Sequence, residues 1–150
     1  MSDSLIFPMG KFEAQITTDR QYSENHLWVQ EGAGGFRVGF SAYSVRLLQD
    51  VYFLDWDVEA DTQVKRKQEI GQVESSKAVS SLYPPADGRI VHFNDLLLDD
   101  PSTINTDGYG QGWLYHFDTE GRFMSAEEYV EFLATKWEET QRLIKGQFND

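Results

Sequence analysis

The sequence predicts a mainly β fold, an all-β sandwich or flattened barrel, followed by one amphipathic helix. Three observations support this prediction. Apolar and polar residues alternate in several short segments, which is typical of half-buried strands. Glycine and proline interrupt these segments at short intervals, as they do in β-sandwiches and barrels. Near residue 125 the spacing of apolar residues changes to steps of three and four, which indicates a helix.

The predicted strands are separated by segments with turn or loop composition. The glycines of residues 32–35 can adopt the positive φ of a hairpin loop, and Ser41 is a candidate N-cap for a short helix that ends at Leu48. The predicted strands are residues 11–18, 27–29, 36–40, 50–56, 69–74, 78–83, 89–93 and 113–117. The other connections are a polar segment at 57–67, a proline turn at 84–88, and an ordered loop or short helical turns at 94–110.

The C-terminal segment has the pattern of an amphipathic helix. Ser125 and Glu128 form a capping-box pattern at its start. The residues that recur at helical spacing are Ala126, Tyr129, Val130, Leu133, Trp137, Thr140 and Ile144. The predicted helix covers about residues 125–145 and ends near Gly146. We expect its apolar side to pack on the β-core, with a partner-binding helix as the alternative.

Length and hydropathy predict one domain, residues 1–150, outside the membrane. No apolar run approaches the roughly 20 residues that a spanning helix needs. The first residues lack the basic region and the apolar stretch of a signal peptide, which makes a cytoplasmic location the expectation.

The net charge of −12 excludes nonspecific nucleic-acid binding, which depends on lysine and arginine. It would attract basic partner surfaces, and solubility alone is the alternative explanation. The chain has no cysteine, so it cannot supply a thiolate nucleophile or a cysteine metal site.

The remaining candidates for catalysis are weak. No serine lies in a Gly-x-Ser-x-Gly elbow, and the glycines of residues 108–112 lack the Gly-Lys-Ser/Thr of a phosphate loop. His26, His92 and His116 are far apart in sequence, without a spacing that pairs metal ligands. We therefore predict a protein without catalytic residues or metal ligands.

Lys77 is the most informative residue in the chain. It lies on a short polar stretch between two predicted strands, which indicates a hairpin turn. A lysine at such a turn projects into water, where it can carry a covalent cofactor. The alternative is a solvating charge at the tip of a loop.

Three ordered blocks give the chain a resemblance to a known family. The first is HLWV at residues 26–29, and the second is VESSKA at 73–78 with LYPPADG at 82–88 and Asn94. The third contains Pro101, Asn105, Asp107 and YGQGW at 109–113. These blocks resemble those of the glycine cleavage H proteins, and the similarity covers about residues 25–117.

The resemblance implies a lipoyl/biotinyl-type hybrid barrel-sandwich with short helices, a core at about residues 25–118 and the C-terminal helix. It also implies that Lys77 carries lipoate in amide linkage, so that the protein is a non-catalytic carrier and a lipoate-attaching enzyme is one partner. Glu74 is a candidate for recognition by that enzyme, or else a charge at a strand end. Biotin is disfavoured because Ser76 and Ala78, rather than methionines, flank the lysine.

The chain departs from the family pattern at three positions. Leu27 replaces a glutamate, Ser81 replaces a carboxylate expected four residues after the lysine, and Tyr43 replaces a common histidine. The aminomethyl cargo of an H protein has a charged amine, and burying that amine without an acidic partner is costly. We therefore predict a divergent member of the family, one that resembles the lipoate-binding proteins of heterodisulfide-reductase-like sulfur oxidation and serves such a complex as its carrier. The alternatives are an H protein that carries the aminomethyl group for the glycine cleavage enzymes, and a scaffold without lipoate.

Overall fold

The computed structural model of the chain describes residues 4–32 and 35–149, and the surroundings of side chains up to residue 139. Its strands are β1 (Ser4–Met9), β2 (Phe12–Thr17), β3 (Gln21–Tyr22), β4 (Leu27–Gly32), β5 (Gly35–Phe40), β6 (Val51–Trp56), β7 (Thr62–Val64), β8 (Gly71–Ser75), β9 (Val79–Leu82), β10 (Gly88–Phe93) and β11 (Tyr115–Asp118). Its helices are α1 (Ala42–Leu48), α2 (Leu96–Asp99), α3 (Thr103–Thr106) and α4 (Ala126–Asn149).

Two sheets enclose the main core. Within the described residues, the larger sheet has the order β3-β4-β5-β11-β10-β7, and the smaller has the order β6-β8-β9. Val29 and Val38 of the larger sheet share one buried cluster with Leu54, Val73 and Leu82 of the smaller sheet. The mainly β barrel-sandwich with short helices and a C-terminal helix is therefore confirmed.

A second core lies on the opposite face of β4. Leu27 and Val29 point into the main core, whereas Trp28 between them points outward, because side chains alternate along a strand. There Trp28 packs with Phe7 of β1 and Tyr129 of α4. The apolar side of α4 thus packs on the N-terminal hairpin as well as on the larger sheet.

The Tyr129 hydroxyl connects α4 to both ends of the β4–β5 hairpin. It lies 2.9 Å from Nδ1 of His26 and 2.8 Å from Oγ of Ser41, the predicted N-cap of α1. Its ring also stacks on that of Tyr22, with centroids 4.6 Å apart. Burial, followed by the charge of Lys136, lowers the pKa of His26 to about 4.

Three strands in the N-terminal half of the chain, β1, β3 and β7, were not predicted from the sequence. β1 pairs with β2 in a hairpin, but Pro8 weakens the strand signal because proline is confined to edge strands. β7 lies inside residues 57–67, which we predicted to be a polar connection. It is three residues long and pairs only with the start of β10, too short for alternation to show.

The boundaries of several elements also differ from the prediction. β11 begins at Tyr115 rather than at Trp113, and α4 continues past Gly146 to Asn149. Both bonds of the capping box at Ser125 and Glu128 are present. The helical turns expected at residues 94–110 are α2 and α3. Ala33 and Gly34 of the predicted hairpin loop lie outside the described residues, as do the side chains of Thr140 and Ile144.

Replacement of Gly39 by alanine is expected to destabilise the fold. A Cβ atom at Gly39 would lie 2.4 Å from a ring carbon of Trp28, its cross-strand neighbour. Overpacking of this kind costs roughly 1–3 kcal/mol. Gly32→Ala is the matched control, because no atom lies within 4 Å of a Cβ there. Urea unfolding of both variants checks this, and equal midpoints would contradict the packing argument.

His26 is expected to make stability depend on pH. Its ordinary pKa of 6.5 falls to about 4 in the folded protein, so the unfolded chain binds an extra proton between these values. The stability from this group is complete above pH 6.5 and is lost as the pH falls through 4, by an amount on the order of 3 kcal/mol. We expect a shallower loss of unfolding free energy between pH 7 and 4 in His26→Gln. An unchanged pH dependence in His26→Gln would contradict this assignment.

Candidate functional site

Lys77 lies at the tip of the β8–β9 hairpin. The Ser75 N–H donates to the Ala78 carbonyl at 2.9 Å and closes a four-residue turn in which Lys77 is third. The backbone N–H groups of Lys77 and Ala78 both lie 3.3 Å from the Ser75 hydroxyl oxygen. The Lys77 side chain is exposed. A closed, well-bonded turn therefore presents this amine to solvent.

The turn is attached to the corner that joins α1 to β6. The Ser76 N–H donates to the Asp50 carbonyl at 2.9 Å, and the Asp50 N–H lies 3.2 Å from the Ser76 hydroxyl oxygen. Asn105 holds the other side of the corner: its Nδ2 donates to the Gln49 carbonyl at 2.5 Å, and its Oδ1 accepts the Val51 N–H at 2.9 Å. These four bonds fix the position of the turn relative to the sandwich.

Gln49, at this corner, has a strained backbone conformation. Its φ of 60° lies in the left-handed region, which costs a residue with a side chain roughly 1–2 kcal/mol. The bonds from Asn105 to the residues on both sides of Asp50 offset this cost.

Glu74 lies on the outer face of the smaller sheet, three residues before Lys77. Its cross-strand neighbours are Phe53 and Val79, which are 44% and 62% exposed. The outer face beside the lysine therefore combines a carboxylate with apolar side chains. The structure brings Glu74 close to the turn, as the sequence implied.

Two clefts flank α1, and Phe40 contributes to both. The first, which we call the Leu27 cleft, has a volume of about 240 Å³. It is lined by Asn25, Leu27, Phe40, Ser44, Leu47, Leu48, Val73, Ser80, Ser81, Leu82 and Tyr83. The second, which we call the hairpin cleft, has a volume of about 610 Å³. It is lined by Phe12, Glu13, Gln15, Phe40, Ala42, Val45, Arg46, Gln49, Asp50, Ile104, Asn105, Gly108 and Tyr109.

Two of the three departures from the family pattern meet in the Leu27 cleft. Leu27 and Ser81 both line it, and none of the described residues around it carries a charge. Tyr43, the third departure, is buried in the second core instead, with its ring 4.8 Å from that of His26. The Leu27 cleft therefore offers apolar walls and neutral hydrogen-bonding groups to a cargo.

Two of the three histidines, which are far apart in sequence, are neighbours in the fold. His92 of β10 faces His116 of β11, with ring centroids 4.3 Å apart, whereas His26 lies in the second core. Their spacing in the sequence does not indicate this proximity, because strand pairing brings the two residues together. No group of three or more potential metal ligands was found among the described residues.

Among the described residues, no helix combines the length and the apolar character that crossing a membrane requires.

Comparison with known proteins identifies the family. The family model for the glycine cleavage H-protein matches residues 20–144. The glycine cleavage system H protein of Corynebacterium jeikeium is 39% identical over 120 residues, which cover 76% of this chain and 94% of the relative. A probable glycine cleavage system H protein of Natronomonas pharaonis is 36% identical over 118 residues, which cover 76% and 93%.

A solved structure agrees with these relatives. The glycine cleavage system H protein from Mycobacterium marinum superposes with a TM-score of 0.67 at 38% identity, and the match covers 76% of this chain and 95% of that protein. The residues described above as the sandwich, the Lys77 turn and most of α4 all fall within the family match. The chain belongs to the glycine cleavage H-protein family, and it is a non-catalytic carrier component that holds covalently attached lipoate.

Proposed function

We propose that Lys77 carries the lipoate and that the chain shuttles an aminomethyl group between the enzymes of a glycine cleavage system. The observation that carries this proposal is the exposed amine of Lys77 at the tip of a closed turn, inside the segment that matches the family. The relatives named above carry the glycine cleavage name, which favours this function over sulfur oxidation.

The attachment site suits the cofactor chemically. An amide bond between the lipoate carboxyl group and Nζ of Lys77 would place the dithiolane at the end of a long flexible arm. Bound lipoate supplies a disulfide whose five-membered ring cannot reach the preferred dihedral angle near 90°, so a nucleophile opens it readily. The chain itself contributes the rigid turn, and it has no cysteine that would trap the arm.

Recognition by a lipoate-attaching enzyme is part of the proposal. Such an enzyme must identify the correct lysine by its surroundings, and Glu74 with the exposed Phe53 and Val79 provides a charged and apolar surface next to Lys77. Bonds to Asp50 hold the Ser76 backbone of the turn in one position before the enzyme arrives.

A second candidate is a carrier for a heterodisulfide-reductase-like sulfur oxidation complex. The observation that favours it is the uncharged lining of the Leu27 cleft, where Leu27 and Ser81 stand in place of acids. A neutral sulfur-bonded cargo would need no carboxylate there. The comparisons give this finer assignment no support, and it stands on the chemistry of one cleft.

Lys77→Arg is expected to abolish lipoylation. Arginine keeps the charge and the length of the side chain but has no amine that forms a stable amide. After co-expression with a lipoate-attaching enzyme and lipoate, intact mass should show one lipoyl group on the wild type and none on the variant. Lys67→Arg, at another exposed lysine, should be modified like the wild type. A lipoyl group on Lys77→Arg would show that another residue is the attachment site. An unmodified wild type would support the scaffold alternative.

Reconstitution is expected to separate the two carrier functions. Lipoylated protein should support tetrahydrofolate-dependent glycine cleavage when it is mixed with glycine decarboxylase, the aminomethyl-transferring protein, and a dihydrolipoyl dehydrogenase with NAD⁺, which reoxidises the dithiol after each cycle. The rate should fall to background with Lys77→Arg. No turnover with fully lipoylated wild type, alongside turnover with a heterodisulfide-reductase-like complex, would establish the second candidate instead.

A further inference from the structure

His92 and His116 lie side by side on the outer face of the larger sheet. They are cross-strand neighbours of β10 and β11, with ring centroids 4.3 Å apart and an angle of 31° between the ring planes. Tyr115 and Phe117, which flank His116 in β11, are buried in the main core, so His116 points to the opposite face. His92 is exposed and His116 is half-buried. Both imidazoles are therefore accessible from solvent.

A β-bulge turns the His92 side chain to this outer face. Alternation along an undistorted strand would place His92 on the same side as Ile90, which is fully buried in the main core. The register between β10 and β11 shifts between these two residues, which makes Val91 the extra residue. Phe93 then takes the inward position beside Tyr115. Bulges re-aim side chains in this way, often next to functional sites. Without this bulge the two imidazoles would not meet.

The ring nitrogens of this pair are not used in hydrogen bonds. Among the described residues, neither imidazole has a hydrogen-bond or ion-pair partner. Their neighbour is the Trp113 ring, whose centroid lies 4.8 Å from that of His116 and 5.8 Å from that of His92. His26 is different, because its Nδ1 bonds to the Tyr129 hydroxyl. The nitrogen lone pairs of His92 and His116 are therefore available to a ligand.

The surroundings favour a neutral imidazole, which is the form that binds metal ions. Burial, followed by the charges of His92 and Arg37, lowers the pKa of His116 below its ordinary value of 6.5. The Arg37 guanidinium lies 4.9 Å from the centroid of the Trp113 ring and opposes a cation locally. The net charge of −12 attracts cations over longer distances.

The spacing of the rings fits two ligands of one metal ion at a right angle. With about 2.0 Å from metal to nitrogen and about 1.1 Å from nitrogen to ring centre, two bound imidazoles have centroids about 4.4 Å apart at a right angle and about 5.1 Å apart at the tetrahedral angle. The observed 4.3 Å agrees with the right angle. Right angles between neighbouring ligands are typical of tetragonal Cu²⁺, whereas Zn²⁺ prefers a tetrahedron.

We propose that His92 and His116 chelate one divalent transition-metal ion, Cu²⁺ in preference to Zn²⁺, on the outer face of the larger sheet. Cu²⁺ also binds nitrogen ligands more tightly than the other divalent ions of the first transition row. Water completes the coordination, because no third potential ligand joins the pair among the described residues. Two protein ligands make a site that releases its ion readily, unlike the four-ligand sites that stabilise folds. The site departs from the expectation of a chain without metal ligands, because strand register and the bulge create it.

A fluorescence titration tests this site. Cu²⁺ bound between the imidazoles would quench Trp113, whose ring is next to both. The full-length chain with Lys77→Arg is titrated at pH 7, so that no lipoyl sulfur competes for the ion and the result does not depend on the carrier function. We expect saturation at one equivalent of Cu²⁺. His92→Gln and His116→Gln should each weaken binding by at least the roughly tenfold that loss of an outer-shell partner already costs.

The third histidine provides the matched control for this titration. His26→Gln is the same substitution at a ring that is bonded to Tyr129, and it should leave the Cu²⁺ affinity unchanged. His92→Gln combined with His116→Gln should abolish the saturable quenching. Binding by this double variant that equals the wild type would mean adventitious binding to surface carboxylates and would overturn the proposal. A loss confined to one of the two single variants would also overturn it.

Electron paramagnetic resonance identifies the ligands of the bound ion. We expect one tetragonal Cu²⁺ signal with hyperfine splitting from two imidazole nitrogens. Trp113→Phe should keep this signal and lose most of the fluorescence change, because the reporter is gone but the ligands remain. A signal without two nitrogens, or tighter binding of Zn²⁺ than of Cu²⁺, would overturn the proposal.

Discussion

The candidate site depends on the short corner at Gln49, Asp50 and Val51. Asn105 binds the backbone on both sides of Asp50, and Ser76 binds Asp50 itself, so the corner connects α3 to the Lys77 turn. A fixed base sets the region that a flexible arm can reach, since any displacement of the base would be added to that of the arm. This clamp uses backbone groups and two neutral side chains, which makes it independent of pH and salt.

Around this corner, an exposed lysine lies beside two clefts. The β8–β9 hairpin holds the lysine in water, whereas α1 beside it separates one neutral cleft from one charged cleft. A cationic cargo would need a counter-charge wherever it is sheltered, and the lining of the Leu27 cleft supplies none.

Local patterns predicted most of the sandwich, because alternation, glycine turns and the capping box act over a few residues. They also predicted an exposed Lys77, whereas the resemblance to the family singled out Leu27 and Ser81, which the fold brought into one cleft. The hairpin cleft could not be predicted, since β2, α1 and α3 meet only through tertiary packing. The pairing of His92 with His116 has the same cause, as it depends on the register of β10 and β11.

Pro8 has a consequence for the outer edge of the N-terminal hairpin. The Gln15 carbonyl accepts a hydrogen bond from the Tyr109 hydroxyl and not from β1. Gln15 and its cross-strand partner Ile6 therefore form a non-hydrogen-bonded pair. The pair type repeats every two residues, so Glu13 and Pro8 also form a non-hydrogen-bonded pair. The backbone nitrogen of Pro8 therefore points away from β2, where it can donate nothing to an incoming strand. The outer edge of β1 thus lacks one of the donors that an added strand would need, which makes pairing with a strand of another molecule less favourable there.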